Sequence, residues 1–184
     1  PVSLKNTLLD LIKEEIEKAK AGEETSIFLK MNSLTDRQLI DALKEASQAG
    51  VKIKMIIRGI CCILPGIEGK TDNIEVISVV GRFLEHSRIF CFGTGENMKM
   101  YIASADWMTR NTENRVEIAA PIYDQKIKNS IYDTLRIMWK DNLKARILCS
   151  DGTYKKPEIK EGNELIDCQN YLRHEYKVGR KIKL

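Results

Sequence analysis

Only two histidines occur in 184 residues. One of them, His86, lies in the stretch GRFLEHSRIFCF (81–92), between Arg82 and Arg88. An imidazole takes up and releases a proton near neutral pH, and guanidinium groups hold and neutralise phosphate oxygens. The pairing suits proton transfer or phosphoryl chemistry. It suits a packing histidine equally well, and position alone does not choose between them. Other polar residues stand where strands are expected to end. Lys30 and Asn32 close SIFLKMN, Arg58 closes VKIKMIIR, and Ser104 and Asp106 follow KMYIA, with Arg110 and Arg115 next. In an open α/β sheet, ligands bind beyond the carboxyl ends of the strands. Asn32 also comes just before a helix N-terminus, which favours anions. Taken singly, Lys30 and Arg110 read more simply as solvated charges, and Arg82 as a partner for Glu85 or Asp106. Trp107 and Met108 read as core, Cys61 and Cys62 as packing, and His174, in a charged tail, as having no chemical role.

The surrounding elements follow from periodicity. Leu4, Leu8, Leu11, Ile12, Ile16 and Ala19 share one face of a helix over 4–20, with Ser3 as its N-cap and Gly22 as its stop. SIFLKM (26–31) predicts a strand. TDRQLIDALKEASQAG predicts a helix opened by a capping box, Thr35 with Gln38, and closed by Gly50. VKIKMIIR (51–58) alternates as a strand does. Strands joined by a helix are most simply parallel. A loop rich in Gly and Pro leads to IEVISVV (74–80). SRIFCF (87–92) and KMYIAS (99–104) then flank GTGEN, a hairpin turn signal. RVEIAAPI (115–122) predicts a strand, and DQKIKNSIYDTLRIMWKDN a helix with Ile127, Ile131, Leu135 and Met138 in register. KARILCS (144–150) predicts a last strand, and the tail a short helix near 163–175. The expected fold class is α/β, one sheet part parallel and part antiparallel.

Composition bounds the function. At 43% hydrophobic and 30% charged residues, the chain is globular rather than disordered. Thirty Lys and Arg against 26 Asp and Glu leave a net charge of +4, which accommodates an anionic ligand without requiring one. The five cysteines are odd in number and form no CxxC pair, which argues against zinc and for reduced thiols in a cytoplasmic protein. No apolar run reaches the ~20 residues of a membrane span, and no signal peptide is visible. Pro at position 1 points to a piece of a longer chain.

HSR followed by YIASADW resembles the phospholipase D motif, His-x-Lys followed by Gly-Ser-x-Asn. Here Arg88 stands for the lysine, Ala103 for the glycine and Asp106 for the asparagine. Longer stretches carry a closer resemblance. FLKMNSLTDRQLIDALKEASQAGVKIKMIIRGICCILPGI, NIEVISVVGRFLEHSRIF, ADWMTRN, RVEIAAP and KARILCSDGTY each resemble the C-terminal region of bacterial polyphosphate kinases. They occur in the family's order across residues 1–156, and the charged tail, 157–184, is less diagnostic.

That resemblance implies a phospholipase D-like α/β domain with helices on both faces of the sheet. It implies reversible transfer of the terminal phosphoryl of ATP to polyphosphate, with magnesium, through a phosphohistidine in another catalytic domain. This chain would be the second catalytic domain, inactive alone, and would hold no metal; magnesium would sit mainly in the first. By correspondence, His86 would contact ATP phosphate and assist as an acid. Arg58 would bind the ATP phosphates, and Glu117 would orient a catalytic histidine. Lys30, Arg88, Arg110 and Arg115 are candidates for lining a polyphosphate path. The implied partners are ATP or ADP, polyphosphate, the parent chain's other domains and further copies in an oligomer, with no nucleic acid. The implied setting is cytoplasmic, with attachment to the inner membrane left open. Two rival functions remain at this level: a dimeric phosphodiesterase or nuclease of the phospholipase D type, and a non-catalytic module that docks a polyanion.

Overall fold

The structure is a computed structural model that describes residues 2–178, with side chains from Leu4 onward. The capping expected of Ser3 and the last residues of the tail, 179–184, lie outside the described residues. The first helix, α1 (Val2–Lys20), buries Leu8, Leu11, Ile12 and Ile16 on one face. Gly22 follows at φ 78°, a left-handed conformation that ends the helix.

β1 (Ser26–Met31) and β2 (Lys52–Ile57) flank α2 (Arg37–Gln48) in sequence and pair in parallel. β3 (Ile74–Val79) continues the parallel set beside β2. β4 (Arg88–Phe92) and β5 (Lys99–Ala103) form the expected hairpin, with a single 3-10 turn, Gly95–Asn97, between them. α3 (Thr109–Asn114), β6 (Ala119–Ile122), α4 (Gln125–Trp139), β7 (Ala145–Leu148), β8 (Tyr154–Lys155) and α5 (Cys168–Lys177) complete the chain. The eight strands lie in the order β6-β5-β4-β1-β2-β3-β7-β8, antiparallel outside the β1-β2-β3 trio.

Helices cover both faces. α1 and α2 pack on one side with Ile27, Leu29, Ile53, Met55 and Trp107. α4 and α5 pack on the other with Phe28, Ile56, Ile77 and Met138. There Phe28 meets Tyr132 and Trp139 edge-on, at 6.0 and 5.6 Å. β1, central and covered on both sides, is buried along its length, as such strands are. Lys30 is the one charge in that run, so its burial demands partners.

Three local expectations need correction. The N-cap of α2 is Asp36, whose carboxylate accepts from the Leu39 N–H, and not Thr35. The Thr35 N–H instead donates to Trp107 O at 2.8 Å, tying the segment to the end of β5. The strand expected over 115–122 forms only at Ala119–Ile122, where it pairs with β5; the Glu117 side chain before it is turned to Ser104 and Asn111. Cys62 is exposed rather than packed, and Cys61 is half-buried. Among the described residues, no helix is long and apolar enough to cross a membrane.

Candidate active site

Antiparallel pairing gathers the polar strand ends. Lys30 of β1 lies opposite Ile89 of β4, and Arg88 of β4 lies opposite Ala103 of β5. Ala103 in turn faces Ala119 of β6. One rim therefore receives the carboxyl ends of β1, β2, β3 and β5 and the amino ends of β4 and β6. Lys30, Asn32, Arg58, His86, Arg88, Ser104, Asp106 and Glu117 all stand along it.

The loops of this rim are knitted together. The Leu34 N–H donates to Ile60 O, the Cys62 N–H to Leu34 O and the Gly59 N–H to Asn32 O, each within 2.9 Å. Gly59 is required by that closeness: a Cβ there would lie 2.8 Å from the Asn32 carbonyl oxygen.

Arg58 and His86 converge. Arg58 Nη2 lies 3.1 Å from His86 Nδ1. Its Nε donates to Asn32 Oδ1 at 2.6 Å and to Glu85 O at 3.0 Å. A guanidinium is a donor only, so Nδ1 accepts and the ring proton sits on Nε2 in this arrangement. His86 itself is exposed, which answers the question of a packing role.

Behind this pair stands Asp106, 8% exposed. Its carboxylate accepts from the Asn32 N–H at 2.6 Å, from Asn32 Nδ2 at 3.1 Å and from Arg88 Nη2 at 3.0 Å. Burial works against its charge, but the hydrogen bonds from Arg88 and Asn32 outweigh it and hold the carboxyl below its ordinary 3.8. Asp106 thus pairs with Arg88 and not with Arg82, because the β4–β5 register brings Arg88 to it. Arg82 lies out in the loop over the Phe83 ring, 5.7 Å from its centroid.

The other candidates divide in two. Lys30, 3% exposed, donates to Ser87 Oγ at 2.8 Å and Ser87 O at 3.1 Å, with Glu85 Oε2 at 3.8 Å. Burial pulls its ammonium below the usual 10.5 against the opposing Glu85 carboxylate, and Arg58 adds to the fall. Arg88 is likewise occupied, and its Nη1 also donates to His86 O at 3.0 Å. Both therefore brace the His86 loop from within. Arg110 and Arg115 are exposed, with no ion pair among the described residues. Glu117 accepts from Ser104 Oγ and, at 2.6 Å, from Asn111 Nδ2; neither partner is a histidine. His174 lies on α5, exposed, with its Nδ1 3.3 Å from Glu175 Oε1. Reading the sequence missed Glu85, Ser87 and Gln169 as supports. Glu85 and Ser87 flank His86 and could have been found by that adjacency.

The described residues hold no group of three or more His, Cys, Asp and Glu suited to a cation. The rim carboxylates of Asp106 and Glu117 already accept from donors of the protein itself.

The chain overlays NucT from Helicobacter pylori (TM-score 0.51, 16% identity, 72% of this chain and 89% of that one). It also overlays Nuc from Salmonella typhimurium, a phospholipase D family member (TM-score 0.50, 16% identity, 79% and 91%). At that identity the likeness is one of fold, and the fold is phospholipase D-like. Within that class, the family described as "Polyphosphate kinase C-terminal domain 2" matches residues 1–169. Polyphosphate kinase from Thermosynechococcus vestitus is 50% identical over 162 residues, 88% of this chain and 22% of that protein. The Vibrio cholerae polyphosphate kinase is 43% identical over 188 residues, 100% of this chain and 26% of that protein. The crystal structure of polyphosphate kinase from Porphyromonas gingivalis superposes with a TM-score of 0.90 at 38% identity, over 95% of this chain and 27% of that one. The chain belongs to the polyphosphate kinase C-terminal domain 2 family, and it spans about a quarter of the length of these relatives.

Proposed function

We propose that the rim carrying Arg58 and His86 binds the phosphates of ATP and ADP, and that the chain serves a polyphosphate kinase. The observation that carries this reading is the 3.1 Å contact of Arg58 with His86 at an exposed rim, braced from behind by Asn32, Asp106 and Arg88. Cations and an imidazole held in place are what a phosphoryl-transfer site needs, since its catalysis is mainly positioning and charge stabilisation.

The mechanism follows from donor and acceptor roles. Arg58 keeps its Nε on Asn32 and Glu85, so the guanidinium stays put while Nη2 is free to exchange partners. An arriving phosphate oxygen outcompetes a neutral imidazole nitrogen for that donor. Nδ1 is then released to take up a proton. The resulting imidazolium gives its Nε2 proton to the departing ADP oxygen as the bond from phosphorus to that oxygen breaks. The accepting nucleophile, a histidine of the family's other catalytic domain, lies outside this chain, as does magnesium. Arg110 and Arg115, exposed and without ion pairs among the described residues, line the polyphosphate path; Lys30 and Arg88 shape the site instead. Val116 and Ile118, 90% and 68% exposed beside Glu117, are apolar surface for a neighbouring domain or subunit to cover. There Glu117 would meet its histidine.

A phosphodiesterase reading shares the fold and the exposed imidazole. It is disfavoured because Arg88, at the position of the motif's lysine, is committed to Asp106. Two assays on the full-length protein separate the readings. ATP formation from polyphosphate and ADP is expected, and hydrolysis of bis(p-nitrophenyl) phosphate is not. The opposite pattern would replace the kinase reading with the phosphodiesterase one.

A further inference from the structure

The loop that carries His86, from Val80 to Ser87, has no regular secondary structure. Its apolar side chains do little to hold it, since Leu84 is 74% exposed, Val80 66% and Phe83 44%. Polar clamps must fix it, and one of them comes from the opposite end of the chain. Gln169, in the first turn of α5, is buried. Its Oε1 accepts from the Phe83 N–H at 2.9 Å, and its Nε2 donates to Phe83 O at 2.8 Å. Both bonding groups of one residue's backbone are thus met by one amide, as a neighbouring strand would meet them. Nε2 also reaches Glu85 Oε1 at 3.3 Å. Gly81 completes the lock: a Cβ there would fall 2.3 Å from Gln169 Oε1.

The other end of the clamp is anchored. The Cys168 N–H donates to Asp141 Oδ2 at 2.8 Å, while Asp141 Oδ1 accepts from the N–H groups that start β7. Cys168 and Leu172 are buried against α4 and the sheet.

We propose that Gln169 is a positioning residue for His86, and that α5 is thereby part of the phosphoryl-transfer site. The inference rests on the reading of His86 as a phosphate-contacting group. Gln169 holds Phe83 and Glu85; Glu85 O holds Arg58, and the next residue is His86. Loss of the clamp displaces imidazole and guanidinium together.

The test uses the full-length protein. Gln169→Ala is expected to lower ATP formation from polyphosphate and ADP by ~10- to 100-fold, the scale of a misplaced catalytic group. Its thermal midpoint should move by no more than about 4 °C. ADP affinity, measured by calorimetry, should weaken in Gln169→Ala, and the same substitution should change nothing further once His86→Ala and Arg58→Ala have removed both groups that the clamp places. Gly81→Ala, which pushes the amide away while leaving α5 intact, should reproduce the loss. It should cost nothing when Gln169 is already Ala, because the clash is gone. Wild-type turnover in both Gln169→Ala and Gly81→Ala would overturn the clamp. So would an equal loss of ADP affinity with and without His86 and Arg58, which marks a general structural effect. If Gln169→Ala fails to fold, Gly81→Ala alone decides. If His86→Ala itself keeps full turnover and ADP affinity, the reading of the site fails and the clamp's role falls with it.

Discussion

Arg58 cannot be replaced by another cation. A lysine at 58 keeps the charge, but one ammonium does not reach Asn32 Oδ1, Glu85 O and His86 Nδ1 from a fixed plane. Arg58→Lys is therefore expected to lower kcat/KM for ADP by about 100-fold, the scale for one lost stabilising donor, without unfolding the protein. Asp106 is the group whose charge the rest depend on. Its folded pKa lies below the unfolded 3.8, so its stabilisation is complete above that value and is lost as pH falls through the folded pKa. Asp106→Asn should be less stable than wild type by about 3 kcal/mol at pH 7, as expected when one partner of a largely buried ion pair is removed. The gap should narrow in urea titrations run below pH 3.8. A gap of the same size at both pH values would mean that the charge is not what matters. His86, Arg58, Asn32 and Asp106 were legible as strand-end residues of one rim. The partner of Asp106 was not, because residue types do not say which arginine a strand register delivers.

The elements act by bringing loops from distant strands within one hydrogen bond of each other. Gly59 shows how little slack there is, since a methyl group at 59 meets the backbone carbonyl of Asn32 rather than a flexible side chain. Gly59→Ala should destabilise by ~1–3 kcal/mol, the usual cost of overpacking. It should also weaken ADP binding, because Asn32 carries Arg58; calorimetry beside thermal unfolding would check both. The helices and buried strands with clear periodicity could be read in advance: α1, α2, α4, and β1 to β5. α3 and β8 could not. Thr109–Asn114 has no apolar repeat, and Tyr154–Lys155 is a two-residue, exposed strand. The tail helix was expected near 163–175 and lies at Cys168–Lys177. Its importance was hidden, because Gln169 and Phe83 lie 86 residues apart and nothing local signals their contact.

At the scale of the molecule, the chain supplies one rim of a site and about a quarter of its relatives' length. Only two histidines are present, and His174 sits beside Glu175 on α5. Residues 1–184 alone are therefore expected to form no ATP from polyphosphate and ADP, while the full-length protein does; robust turnover by the isolated piece would show that it holds its own phosphoacceptor. The central physical claim is narrower: the exposed imidazole at 86 acts on the nucleotide's phosphates. It is tested most directly by the rate of ATP formation in the full-length protein carrying His86→Ala, compared at saturating ADP and polyphosphate with wild type of equal thermal midpoint. A fall of at least ~100-fold is predicted, because in this direction the same imidazole takes the proton from the attacking ADP oxygen as general base. A rate equal to wild type would contradict it.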